Sequence, residues 1–290
     1  MGLAWQQGPL ARGAIGTFLV AQPLPERLLF AEPLRRRMSA RFAGETIAQS
    51  DEVILLHEPA RYPVAYFPKP DVRSDVLEPS DHVTRHQELG PTAWYTVRLG
   101  DRQSPRGAWE HPSPPEFAPM FADRVAFAWH AMDAFHEETE RIIGHAADPY
   151  HRIDIRQSAR HLVVTAADLV VADTHRPLVL YESGFAPRWY VPREDVLAAL
   201  PVAHQQQTFC PYKGLCSYYD FGDVKRSGWS YLEPYREVDR IAGCISFEPD
   251  RVEVRIDGEM LHAEPGQTVV AHGPDRGLTP DEVSRVHHTD

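Results

Sequence analysis

A thiol and an amine stand three residues apart at Cys210 and Lys213, in the run Thr208-Phe209-Cys210-Pro211-Tyr212-Lys213-Gly214. A cysteine beside an ammonium loses its proton more readily, so the pair has the makings of a thiolate nucleophile or ligand. The competing reading is a buried cysteine acting as a small hydrophobe, with Lys213 paired to a carboxylate such as Glu182. Catalytic cysteines need a positioned base, and the nearest upstream imidazole, His204, has no motif spacing to Cys210. That weighs toward the second reading.

Aromatic side chains crowd the same stretch. Trp189, Tyr190, Tyr212, Tyr218, Tyr219, Trp229 and Tyr231 either line a pocket for an apolar or cationic group or fill the core of a small β domain. Tyr218 and Tyr219 are adjacent, so on a strand they face opposite ways and only one of them lines a given pocket. Glu182, Arg188, Asp195 and Thr208 supply polar groups that either orient a ligand or pair with one another between strands.

Metal and phosphate chemistry find little support. Cys210 and Cys216 have Cys-x5-Cys spacing, which is not a zinc knuckle, and Cys244 alone remains to add. His82 and His86 lack the glutamate of a His-Glu-x-x-His pattern, and neither glycine-rich phosphate motif occurs. Nothing in the residues calls for a cofactor.

Composition bounds what these residues sit in. A chain of 290 residues suggests two domains, and 26 prolines with 18 glycines point to many turns and a mainly β protein. The net charge of −11 repels phosphate backbones, so nucleic acid is not an expected partner. An odd count of three cysteines suits a reducing compartment. No apolar run reaches the length that spans a bilayer, and no signal-peptide pattern opens the chain, so it reads as cytoplasmic and without a membrane partner.

An internal repeat organises the chain. Glu58 and Glu182 stand 124 residues apart, as do Tyr66 and Tyr190, Pro68 and Pro192, Thr84 and Thr208, and Tyr95 and Tyr219. The offset then becomes 120, for Trp109 with Trp229 and Phe127 with Phe247. A period this long is a duplicated domain. The boundaries follow as an arm over 1–37, a first copy over 38–147, a second over 150–262 and a tail over 263–290. Each copy opens with short strands. Val252, Val254 and Ile256 alternate with Glu253 and Arg255 before an Asp257-Gly258 turn, which reads as a hairpin. By the repeat, the first copy has strand to about Ala134 with a short helix beyond. A helix is expected over Arg193 to Leu200, repeated weakly over Pro70 to Leu77.

These residues carry a resemblance. Glu182, Arg188-Trp189-Tyr190, Thr208-x-Cys210-Pro211-Tyr212-Lys213-Gly214, Tyr218-Tyr219, Trp229-x-Tyr231 and Gly243 to Phe247 resemble the bacterial domain-of-unknown-function family numbered 427, also labelled nucleotidyltransferase 9. The match spans the second copy and, more loosely, Phe42 to Phe127 of the first. The resemblance implies a β-tent fold of two antiparallel sheets per copy, similar to the thalidomide-binding domain of cereblon, whose ligands sit in an aromatic cage. It implies no defined activity. The chain lacks the Asp-x-Asp and Gly-Ser features of a metal-dependent nucleotidyltransferase. The first copy has His86 at the place of Cys210 and no lysine, as though it kept the fold and lost the site; the other reading is a site at the interface of the copies, with His86 contributing.

Three functions remain open at this stage. One is a module binding a small polar or cationic metabolite through Glu182, Arg188, Trp189, Tyr190, Thr208, Tyr212, Tyr219, Trp229 and Tyr231. Another is an enzyme using Cys210 and Lys213. The third is the nucleotidyl transfer of the family label.

Overall fold

The computed structural model describes residues 19, 28–58, 62–183, 185–197 and 203–262. The chain divides between Pro149 and Tyr150 into two units. The first contains β1 (Phe30–Pro33), β2 (Met38–Phe42), β3 (Glu45–Ser50), β4 (Ile54–His57), β5 (Val64–Pro68), β6 (Leu77–His86), β7 (Gly90–Leu99), β8 (Arg102–Glu110), β9 (Arg124–Phe127), β10 (Ala134–Glu137) and β11 (Glu140–Ile142). The second contains β12 (Ile153–Gln157), β13 (Leu162–Ala166), β14 (Leu169–Thr174), β15 (Leu178–Glu182), β16 (Arg188–Val191), β17 (Ala203–Cys210), β18 (Gly214–Phe221), β19 (Val224–Tyr231), β20 (Ile245–Phe247), β21 (Glu253–Ile256) and β22 (Glu259–Met260). The protein is mainly β, as composition and repeat predict.

Among the described residues each unit has a large sheet of seven strands and a small one of four. The order is β1-β4-β5-β9-β8-β7-β6 beside β11-β10-β2-β3 in the first unit, and β12-β15-β16-β20-β19-β18-β17 beside β14-β13-β21-β22 in the second. Register repeats as well as order. His86 faces Gly90 across the β6–β7 turn, and Cys210 faces Gly214 across the β17–β18 turn.

Alternation of side chains gives each large sheet two apolar faces. One face meets the small sheet, through Met38, Phe42, Phe67, Phe127 and Phe135 in the first unit and Leu162, Val164, Phe221, Phe247 and Val254 in the second. The other face forms a separate core. In the first unit it holds Leu56, Tyr66, Leu89, Phe121 and Ala126; in the second, Tyr190, Cys210, Cys216, Tyr218, Trp229, Tyr231 and Ile241. A 3-10 segment closes each, Pro119–Phe121 and Arg236–Ile241.

The expected helices are absent among the described residues. Arg193–Asp195, Lys69–Asp71 and Ser74–Val76 are single 3-10 turns. Val196 and Val72 leave them to form β-bridges to Ala172 and Ala48, which draws the chain back to the small sheet before a helix can propagate. Residues 198–200 lie outside the described part. Past Ala134 the first unit continues as the β10–β11 hairpin, turning at Glu138 with a positive φ of 52°. Most of the arm and the whole 263–290 tail are also outside the described residues. The described part of the arm contains β1, paired along β4, so the first unit begins before Met38. No helix of the described residues is long and apolar enough to cross a membrane.

Candidate functional site

The Cys210–Lys213 segment is a tight turn. The Lys213 N–H donates to the Cys210 carbonyl at 3.2 Å, and Pro211 occupies the second position, where its fixed φ is favourable. Gly214 follows with φ +96°, a conformation open to glycine at little strain. The turn thereby aims Lys213 back over the large sheet.

There Nζ meets both oxygens of Glu182 at 2.6 Å. Glu182 closes β15, four strands away from β18 in the ladder. In a flat sheet four steps would be about 19 Å. The contact therefore requires the sheet to curl, bringing distant strand ends over one core. His151 completes the group, with Nε2 2.9 Å from Glu182 Oε1 and its ring stacked on Tyr212 at 3.7 Å. Lys213 is 6% exposed and the Glu182 and His151 side chains are 7% and 2% exposed, so the ions sit in the interior.

Burial alone would raise the Glu182 carboxyl, but the Lys213 ammonium and His151 outweigh it and hold the group at about 2. Burial likewise disfavours the Lys213 ammonium, yet Cys210, Glu182 and Tyr190 bring its pKa above the ordinary value. Both groups are charged. Burial pushes the Cys210 thiol up, and the nearby ammonium does not reverse this. Cys216 is pushed up to about 12 by burial. The ion pair named from the sequence thus forms, and Cys210 stands beside it as a protonated wall.

The remaining predicted residues divide between two faces. Tyr190, Trp229 and Tyr231 share this core with Cys210. Thr208 Oγ1 is 2.8 Å from the Tyr218 hydroxyl. The Arg188 guanidinium stands 5.7 Å from the Trp229 ring centre. Trp189 and Tyr219 point the other way, into the core between the sheets. Tyr218 and Tyr219 separate as adjacent strand residues must; Trp189 and Tyr190 obey the same rule. Asp195 pairs with Arg176 and Thr174, away from Lys213.

His151 went unnoticed in the sequence. It lies 31 residues from Glu182, in the stretch before β12, and no local pattern marks it. A hint existed in the repeat, because the equivalent carboxylate of the first unit also meets an imidazole. Glu58 Oε1 lies 2.7 Å from His86 Nε2, with His86 at the position of Cys210. Leu89, 1% exposed, takes the place of Lys213. Beyond it, the Trp109 indole N–H donates to the Tyr66 hydroxyl at 3.2 Å, and that hydroxyl meets His111 Nε2 at 3.0 Å.

Glu58, His86 and Glu88 bring ligand-type atoms within 4.8 Å of one another, the spacing of a metal site. Their hydrogen bonding argues otherwise. His86 Nδ1 accepts the backbone N–H groups of Glu88 and Leu89 at 3.2 and 3.0 Å. The ring proton must then be on Nε2, where it is donated to Glu58. A neutral imidazole so arranged has no lone pair left for a metal.

With this geometry in place, comparison with protein families is decisive. A family model described as a domain of unknown function, DUF427, matches residues 30–138 and 154–258. The chain belongs to the DUF427 family. The two matched regions are the two units, so this is a tandem DUF427 protein whose copies differ at the turn that carries Cys210 and Lys213. No curated protein matches the chain.

Proposed function

We propose that the second DUF427 unit is a binding module for a small polar or cationic metabolite, taken up at the aromatic and charged face of its large sheet. Lys213, Glu182 and Arg188 orient the ligand, while Tyr190, Tyr212, Trp229 and Tyr231 with Cys210 form the wall. One observation carries this reading. The first unit builds the same turn on the same strands with Leu89 and His86, so the fold has no need of a buried ammonium. A buried ion cluster that the scaffold does not require is a mark of a working site. The raised Cys210 thiol favours the wall over the nucleophile.

The test is a thermal-shift screen of polar and cationic metabolites on the wild type and on Cys210→His/Lys213→Leu, which places the first unit's residues in the second. A ligand is expected to raise the melting temperature of the wild type and leave the variant unmoved. A screen that moves neither protein, or a shift that survives in the variant, defeats the reading.

A further inference from the structure

The large sheet of the first unit ends at β6, and among the described residues no strand lies beyond it. This strand is ten residues long, and Asp81, His82, Val83, Thr84 and Arg85 are all exposed. Val83, at the middle of that run, is 63% exposed. The second unit turns the corresponding side chains inward. By register Phe209 stands where Arg85 does; it is 8% exposed, and its ring meets that of Tyr235 edge-on at 6.3 Å. Gln207, in the place of Val83, donates its side-chain amide to Ser217 on the neighbouring strand. The fold does not require a bare edge here, yet the first unit has one.

The backbone of that stretch also faces outward. In an antiparallel ladder, facing residues alternate between pairs that exchange two hydrogen bonds and pairs that exchange none. Arg85 faces Pro91, which has no N–H, and the Pro91 carbonyl lies 3.4 Å from His111 Nδ1, just past β8 on the far side of β7. Arg85 and Pro91 therefore exchange none, and the same holds two residues on for Val83 and Ala93. The N–H and C=O groups of Val83 and Arg85 point away from β7, to the open edge.

Such an edge is a template for another strand, and soluble proteins blunt theirs with charge, proline and bulges. The first half of β6 is blunted in this way: Ser80, Asp81 and His82 stand between the paired Pro79 and Val83, against Trp94 alone. The charges from Asp81 onward are self-complementary. A two-fold axis through Val83 sets Val83 against the partner's Val83, Thr84 against the partner's His82 and Arg85 against the partner's Asp81. Residues two apart on a strand share a face, so two Arg–Asp pairs flank an apolar centre. Among the described residues neither Asp81 nor Arg85 has an ion-pair partner, whereas Glu78 on the same strand takes Arg98 at 2.6 Å. The outward backbone of Val83 supplies the central exchange of hydrogen bonds that this axis demands. We infer that β6 is a dimerisation edge, to which a second copy of this chain adds its own β6 antiparallel about Val83. The contact is isologous and uses the edge up, so it closes at two copies. A ladder this short buries little surface, so the dimer is weak and concentration-dependent.

Sedimentation equilibrium of the full-length protein over a hundredfold range of concentration tests this, and a monomer–dimer equilibrium is expected. Val83→Pro removes an N–H that β7 does not use. It is expected to weaken the dimer at least tenfold and to leave the melting temperature of the dilute protein close to that of the wild type. Arg85→Asp sets like charges against Asp81 and is also expected to weaken the dimer at least tenfold. Adding Asp81→Arg restores opposite charges and should bring the dimer back to within threefold of the wild type. If Val83→Pro does not fold, the charge exchange alone decides. A monomer at every concentration overturns the inference. So does a dimer that a folded Val83→Pro leaves unchanged, or a double variant as weak as Arg85→Asp alone, because an interface elsewhere on the chain would not feel this register.

Discussion

The two DUF427 units answer one structural problem in two ways. Each has a glutamate at the end of the second strand of its large sheet, Glu58 just past β4 and Glu182 as the last residue of β15, and the curl of the sheet carries that carboxylate over the outer core. In the first unit an imidazole from the facing hairpin, His86, meets it at 2.7 Å. In the second, position 210 is a cysteine, and the carboxylate is met by Lys213 from the turn and His151 from before β12. A buried carboxylate must be paired or hydrogen-bonded, and either solution does that. The requirement of the fold is therefore satisfaction of the glutamate, while the identity of its partner is free to serve something else.

The largest effect should come from breaking the second solution. Lys213→Leu removes the ammonium and leaves Glu182 with His151 alone, so we expect a loss of about 3–5 kcal/mol, as for other buried pairs stripped of one partner. Adding Cys210→His should recover most of it, because the new imidazole stands where His86 does. Hydrogen exchange in β18 and β19 reads both changes. A double variant as unstable as the single one would mean that the two turns are not interchangeable.

Acid should loosen the second unit through the same group. Glu182 is held at about 2, below the ordinary 4.5, by Lys213 and His151 against the effect of burial. A carboxyl with a depressed folded value stabilises above its unfolded value and loses that contribution as pH falls. The stability of the second unit should therefore drop between about pH 4.5 and 2, and Glu182→Gln should flatten that limb in a pH series of hydrogen-exchange or denaturant measurements. A limb of unchanged slope would place the acid sensitivity elsewhere.

Much of this architecture was legible in the sequence, and the failures share a cause. The 124-residue offset located the strands because register in a sheet is tied to side-chain alternation, and a duplicated pattern keeps both. The Glu182–Lys213 pair was readable as a chemical complement. The helices expected over Arg193 to Leu200 and Pro70 to Leu77 were not foreseeable as 3-10 turns, since the bridges of Val196 and Val72 are contacts made by the tertiary fold. Pooling the aromatic residues by proximity in sequence merged two faces; applying the alternation rule to Trp189 and Tyr190, as to Tyr218 and Tyr219, would have separated them. His151 and Lys213 come together on Glu182 only through the curl of the large sheet, which no local spacing encodes.

The turn itself offers a smaller test of equivalence. Gly90 and Gly214 follow corresponding positions with φ +82° and +96°, and a Cβ at either would find its nearest atom at 3.6 or 3.5 Å, an ordinary contact. The penalty for alanine is then backbone strain, about 1–2 kcal/mol, and it should be alike in both units. Unequal losses on denaturant melting would show that the Cys210 turn is held more tightly than its counterpart.

The smallest expected effect distinguishes scaffold from site. Trp109 stands beside Tyr66 in the first large sheet as Trp229 stands beside Tyr190 in the second, each pair flanking one residue of the strand between them. The same residues in the same places in both units is the behaviour of a fold element. The Tyr66 hydroxyl accepts from the Trp109 indole N–H and meets His111 Nε2. Tyr66→Phe should therefore cost about 1 kcal/mol, the usual net worth of a neutral hydrogen bond, and Tyr190→Phe less. If ligand binding by the second unit then survives Tyr190→Phe but not Lys213→Leu, the aromatic pair is scaffold and the charged turn is the site. If both substitutions abolish binding at matched stability, the Tyr190 hydroxyl touches the ligand, and the likeness of the two units ends at their backbones.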